Sequence, residues 1–342
     1  MGISRLHSRM HRVLRLVSTA LAVICLTQCA TKHDSRTASP RSYRLASLGY
    51  EPLKLKKVTG DSRYSGRFRV NGKEVHFLID SGANSTDLDY ELATSFGITP
   101  EKSVKVVSRG ALGRPVTSWV GLGALGAGHV TATPFPFMLA PPSNRHTATS
   151  RYDGQMGLDA LSGLAALIDL QAGKLWIPGP QARNTGHGGI HALGRHEGLG
   201  FDSLTLETAG RLPHLLVVSR YQDKRLTWVV DTGAEVTVMA AETVKRLGIP
   251  STASRSKIID ASGDRASVRS AVLHNVIFGQ LVVSEFQVAV TPLGTIRRTF
   301  RDRSGRPVDG IIGMDFLEES GALLDTASRM LYLGEPPLSQ MN

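Results

Sequence analysis

The chain has 342 residues, of which 41% are hydrophobic and 20% charged, and carries a formal net charge of +11. That length accommodates two lobes with cores of their own, and the balance excludes both a disordered chain and a polytopic membrane protein. The two cysteines, Cys25 and Cys29, both lie near the N-terminal end, so no intramolecular disulfide staples the globular part. The basic excess is scattered, partly over Arg5, Arg9, Arg12 and Arg15 and partly over Lys32, Arg36, Arg41, Arg44, Lys54, Lys56 and Lys57. No aromatic-interleaved stripe accompanies it, which favours a solvated or membrane-surface tether over nucleic-acid binding.

Residues 1–28 read as a signal peptide: arginines without acids, then an apolar stretch over 16–26 that is too short for a comfortable membrane span. Leu26-Thr27-Gln28-Cys29 resembles a bacterial lipobox, with Gln28 where a small residue usually stands. A lipidated Cys29 would anchor a soluble domain at a membrane surface. Ala30 after the cysteine points, by the same resemblance, to the periplasmic side of an outer membrane. Ordinary cleavage near Ala30 and an uncleaved anchor are the other readings. Residues 29–61 are polar and basic and read as a tether.

Residues 62–178 read as a first lobe. Phe68-Arg69-Val70 and Val75-His76-Phe77-Leu78-Ile79 flank Asn71-Gly72, a hairpin signal. The second of these runs delivers Asp80 into the turn Ser81-Gly82-Ala83. A short helix is expected over 90–96, stopped by Gly97. The segment 179–212 is rich in Gly and His and reads as a linker; His187, His191 and His196 lack a ligand pattern and read as solvated rather than zinc-binding.

Residues 213–335 repeat the first lobe. Trp228-Val229-Val230 delivers Asp231 into Thr232-Gly233-Ala234, 151 residues after Asp80. At the same offset Phe96-Gly97-Ile98 matches Leu247-Gly248-Ile249. Asp153-Gly154-Gln155-Met156-Gly157-Leu158-Asp159 matches Asp309-Gly310-Ile311-Ile312-Gly313-Met314-Asp315 at an offset of 156, so the second copy holds five extra residues around 297–307. Leu167-Ile168-Asp169-Leu170 then matches Leu323-Leu324-Asp325-Thr326. The recurrence of Asp159, Asp315, Asp169 and Asp325 fits turn or helix-cap roles. Many short strands with turn punctuation and little helix predict two duplicated, all-β lobes with minor helix.

A carboxylate at the end of a buried strand is costly unless it is used. Two in equivalent settings suggest one shared site. Hydrolysis without metal or nucleophile needs a base to activate water and an acid for the substrate, and two close carboxylates sharing one proton supply both. Ser81 and Thr232 can bond backbone across the lobe boundary, while Gly82 and Gly233 permit a tight turn and close approach. Ala83 and Ala234 offer no hydroxyl to the charged pair, which favours raised apparent pKa values and activity nearer neutral pH. No histidine is positioned to make Ser81 a nucleophile, and no phosphate loop or calcium loop is present.

These motifs resemble aspartic endopeptidases of the retropepsin/pepsin type, most of all the bacterial exported members with two retropepsin-like lobes fused in one chain. The resemblance spans roughly residues 62–335 and rests on the two apolar-Asp-Ser/Thr-Gly-Ala segments and Gly310-Ile311-Ile312-Gly313-Met314-Asp315-Phe316-Leu317. It implies a bilobal, pseudo-two-fold acid-protease fold, with Asp80 and Asp231 holding the attacking water and Ser81 and Thr232 gripping the lobes together. It also implies substrate-binding flaps over 106–116 and 259–268, tipped by Gly110, Ala111, Leu112 and Gly113 and by Ala261, Ser262, Gly263 and Asp264. The implied substrate is a peptide or protein, with no cofactor, metal or nucleic acid, and a monomer suffices because both aspartates are in one chain. Two departures, Asp87 where the other copy has Val238 and Gln155 where it has Ile311, feed the alternative of a non-catalytic periplasmic peptide-binding or scaffold lipoprotein.

Overall fold

The computed structural model describes residues 39–57, 60–140, 152–183, 198–260 and 262–334. The leader with Cys25 and Cys29, the histidines His187, His191 and His196, and Ala261 lie outside the described residues. Two eight-stranded sheets share one strand order. In the N-lobe the order is Lys56–Lys57, Tyr64–Val70, Lys73–Ile79, Gly154–Met156, Asp87–Asp89, Val130–Ala140, Pro115–Ala127 and Pro100–Arg109. In the C-lobe it is Glu207–Ala209, Leu212–Tyr221, Lys224–Val230, Gly310–Ile312, Val238–Ala240, Leu281–Thr291, Arg265–Phe278 and Thr252–Ile259. The duplicated, mostly-β architecture expected from the repeat is therefore present strand for strand.

The apolar runs that end at the two aspartates form the middle of these sheets. Lys73–Ile79 lies parallel to Gly154–Met156, with Ile79 opposite Met156, and Lys224–Val230 lies parallel to Gly310–Ile312, with Val230 opposite Ile312. Strands covered on both faces are continuously apolar rather than alternating, and Phe77, Leu78, Ile79, Trp228, Val229 and Val230 are all buried. Phe278, Phe286 and Phe316 pack edge-on and tilted on one another, and Phe286 meets Trp228 edge-on; the Trp228 indole N–H donates to Ser219 Oγ at 2.8 Å. Aromatic packing of this kind adds roughly 0.5–1.5 kcal/mol per pair beyond area burial.

A third sheet of six strands joins the lobes, in the order Tyr50–Lys54, Lys174–Pro178, Leu167–Asp169, Leu323–Asp325, Met330–Leu333, Asp202–Thr205. Its central antiparallel pair matches Leu167 with Asp325, Ile168 with Leu324 and Asp169 with Leu323, so equivalent strands of the two copies meet at its middle.

Two boundary expectations are corrected here. The segment 29–61 is not a tether throughout. Pro40–Ser47 is a helix that buries Arg41, Ser42 and Leu45, Tyr50–Lys54 is an edge strand of the joining sheet, and Lys56–Lys57 pairs with the N-lobe. The lysines that made it look solvated sit on sheet edges with exposed side chains, where charge discourages further strand addition. Similarly, 179–212 is not all linker: Asp202–Thr205 pairs with Met330–Leu333, and Glu207–Ala209 pairs with Leu212–Tyr221. Short edge strands with few apolar residues leave little periodic signal to read.

Candidate active site

Each aspartate leaves its strand with the backbone N–H still paired, Asp80 to the Met156 carbonyl and Asp231 to the Ile312 carbonyl, both at 3.0 Å. The turn that follows folds back on the side chain. Gly82 and Ala83 donate their N–H groups to Asp80 Oδ1 at 2.8 and 3.0 Å, and Gly233 donates to Asp231 Oδ1 at 2.8 Å. A Cβ built on Gly82 would lie 2.3 Å from Asp231 Cγ, and one on Gly233 would lie 2.4 Å from Asp80 Cγ. Glycine is thus what lets each turn sit against the opposite carboxylate. The turns bring the two carboxyl groups side by side, so that their protonation is coupled.

Ser81 and Thr232 lock this arrangement with four reciprocal bonds across the lobes. Ser81 N–H donates to Thr232 Oγ1 at 2.9 Å, and Thr232 N–H donates to Ser81 Oγ at 3.0 Å. The hydroxyls donate onward to the Val230 and Ile79 carbonyls, each at 2.9 Å. Both side chains are fully buried and fully used, so loss of either hydroxyl would strand a buried N–H of the other lobe, at about 1–3 kcal/mol.

The electrostatics follow from burial. Burial foremost, and then the adjacent Asp80 charge, pushes the Asp231 carboxyl up to about 8. Asp80 is also raised by burial, against the lowering effect of the Gly82 N–H and of the Asp231 side chain. The pair therefore still holds a proton at neutral pH, on Asp231.

Two residues that sequence reasoning missed buttress the turns from behind. Arg63 Nη1 donates to the Gly233 carbonyl at 3.3 Å, while its fork binds both oxygens of Asp61 and its Nη2 lies 3.6 Å from Glu235 Oε1. Tyr152 Oη donates to the same Asp61. At the equivalent place, 151 residues on, stands His214, whose Nε2 is 3.0 Å from the Gly82 carbonyl and must donate to it. His214 packs on Phe300, and burial lowers its pKa to about 4, so the imidazole is neutral at neutral pH. The shared offset was the available signal, but Arg and His do not look alike in a self-alignment. Asp159 and Asp315 bind the backbone N–H and hydroxyl of Thr86 and Thr237 respectively, tying the loop after each active-site turn to the helices Leu158–Gly163 and Met314–Glu319.

Two hairpins line the same groove as the aspartates, Pro100–Arg109 with Pro115–Ala127 and Thr252–Ile259 with Arg265–Phe278, at the positions where flaps were expected. Gly110, Ala111, Leu112 and Gly113 form one tip; Ser262, Gly263 and Asp264 belong to the other, Ala261 being outside the described residues. A groove of about 1740 Å³ holds both aspartates and the hairpin residues above and runs on along the C-lobe strand Leu281–Thr291 to Phe316 and Glu319. Its walls differ. Leu78, Asp87 and Gln155 line the N-lobe side; Val229, Val238 and Ile311 line the C-lobe side, within an apolar cluster that includes Leu293 and Phe300.

The family profile described as "Aspartyl protease" matches residues 67–160 and 217–316, once in each lobe and over more than half of the chain. The chain belongs to the aspartyl protease family. Among solved structures, basic 7S globulin from soybean is similar, at 13% identity and a TM-score of 0.47, covering 84% of this chain and 95% of that one. No curated protein shows a significant match.

Proposed function

We propose that the protein is an aspartic endopeptidase that hydrolyses peptide bonds with a water activated by Asp80 and Asp231. The observation that carries this reading is the pair of adjacent, buried carboxyl groups at equivalent points of two lobes, facing one large groove. Asp80, as the carboxylate, takes a proton from the water while its oxygen attacks the scissile carbonyl carbon. Asp231 gives its proton to the carbonyl oxygen, producing a neutral gem-diol. The proton held on Asp80 then passes to the leaving nitrogen, Asp231 recovers one from the diol, and the C–N bond breaks. No acyl-enzyme forms, and a monomer suffices because one chain supplies both groups.

The pH–rate profile tests it. The monoprotonated pair is lost on the alkaline side as the shared proton leaves, so kcat/KM for a peptide should fall above about pH 8. On the acid side it should fall at a pH above the ordinary aspartate range, because Asp80 is raised too. Maximal activity near pH 3, or no cleavage of any unfolded protein between pH 5 and 8, would sink the reading. A scaffold that only binds peptide would give the second result.

From the lipobox-like Leu26-Thr27-Gln28-Cys29 we infer export and a lipid anchor at Cys29, holding the domain on the periplasmic side of the envelope. Incorporation of labelled fatty acid that survives Cys29→Ser would overturn the anchor.

A further inference from the structure

The two flap tips are built on the same turn but meet through different residues. In the N-lobe flap, Gly113 N–H donates to the Gly110 carbonyl at 3.0 Å, and Gly110 N–H reaches the Arg114 carbonyl at 3.4 Å. In the C-lobe flap, Gly263 N–H donates to the Asp260 carbonyl at 2.9 Å, and Asp260 N–H to the Asp264 carbonyl at 3.0 Å. Gly110 and Asp260 therefore hold the same position in the two turns, and these positions face each other. A Cβ on Gly110 would lie 2.3 Å from Asp260 Oδ2 and 2.7 Å from Ser262 Oγ. Side chains at both positions cannot coexist; one flap leaves the space and the other fills it.

The filling group is a carboxylate with divided duties. Asp260 Oδ1 accepts from Ser262 N–H, Ser262 Oγ–H and Asp264 N–H at 2.9, 2.7 and 3.0 Å, which shapes its own turn. Asp260 Oδ2 accepts the Leu112 N–H of the other flap at 2.8 Å. The N-lobe tip is docked on the C-lobe at two further points. Ala111 packs against the apolar cluster of Leu293 and Phe300, and a Cβ on Gly113 would lie 2.6 Å from Thr295 Oγ1 in the Gly294–Thr299 helix.

We propose that Asp260 is a positioning residue that latches the N-lobe flap across the cleft, so that the two flaps open and close as one lid. The latch itself stands on these contacts; its kinetic consequence rests on the endopeptidase reading. Entry of a polypeptide then waits on breaking the Leu112–Asp260 bond, a hydrogen bond to a charged acceptor and so among the stronger ones.

Amide exchange on the full chain tests the latch, since exchange in a lid reports its opening equilibrium. Asp260→Asn is the informative variant. Three donors hold the side-chain oxygen in the turn, so the new amide NH2 is turned toward the Leu112 N–H, which also donates; the turn survives and the latch does not. Exchange over 106–116 should quicken by about tenfold or more, although these residues lie some 150 positions away in sequence. Ser262→Ala, which removes one of the three donors to Asp260 Oδ1 but keeps Oδ2 and its bond to the Leu112 N–H, should leave 106–116 as in the wild type. Loosening confined to 258–266, loosening spread through the C-lobe core, or no change over 106–116 each overturns the latch. With a peptidic inhibitor, Asp260→Asn should raise the association rate by a similar factor, a change that loosening of the C-lobe turn alone would not give. If the wild type cleaves nothing, the endopeptidase reading falls while the exchange result still decides the latch.

Discussion

Asp231→Asn should fold, bind peptide, and cleave it at least about 10³-fold more slowly, since a single positioned acid–base group is worth roughly 10²–10⁴ and neither carboxyl has a neighbour to replace it. Asparagine keeps the shape and the acceptor for the Gly233 N–H, so the Ser81–Thr232 bonds across the lobes are undisturbed. It has no proton to give the carbonyl oxygen. The same variant carries a second expectation of opposite sign. The folded-state pKa of Asp231, about 8, lies above the ordinary aspartate value of 3.8, so the native state favours the protonated form. Its contribution to stability is fully present below pH 3.8 and is lost as the pH rises toward 8. Asp231→Asn removes that loss. Its melting temperature should exceed the wild type's at pH 8 and match it near pH 4. Full activity in this variant would end the mechanism, and equal melting temperatures at pH 8 would remove the raised carboxyl from it.

Arg41→Met should destabilise the protein by about 3–5 kcal/mol, the range for breaking one side of a buried ion pair. Arg41 is completely buried under the joining sheet. Its Nη1 lies 3.4 Å from Asp169 Oδ1, its Nε donates to the Leu199 carbonyl at 2.7 Å, and its Nη2 donates to the Gly334 carbonyl. Methionine fills part of the volume but strands Asp169, which would keep only the Ala172 N–H and the Trp176 indole N–H. Urea unfolding measures the loss, and adding Asp169→Asn should return part of it if the stranded charge is the cause. A change below about 0.5 kcal/mol would place Arg41 among ordinary surface residues. The equivalent aspartate of the other copy shows the alternative solution. Among the described residues no arginine pairs with Asp325; burial raises its pKa, and its Oδ2 has no hydrogen-bond partner there. One centre of the joining sheet is thus ion-paired and the other is driven toward the neutral acid.

The contrast between Asp80 and Arg41 shows what was legible. The aspartates were readable because the chain states them twice, each after a continuous apolar run and before a Gly-Ala turn, and repetition removes chance. Ser81 and Thr232 were readable for the same reason, and their reciprocal bonds needed only the two copies to face each other. Arg63 and His214 do the same work in the two lobes, yet they differ in chemistry, so the duplication hid them. Arg41 sits in a polar, basic stretch, where an arginine reads as solvated.

The sequence by itself determined the duplicated lobes, the strand-to-turn segments and the residues at the cleft floor, because local apolar runs and turn chemistry are encoded within a few residues of each aspartate. Tertiary structure alone decided which side chains answer one another over long separations. Arg41 finds its partners 128, 158 and 293 residues away, and Asp260 finds Leu112 at 148. Such pairings depend on how the two copies are set about their shared sheet. At the flap tips two equivalent positions meet at one point where side chains on both do not fit, so Gly110 leaves the space that Asp260 fills.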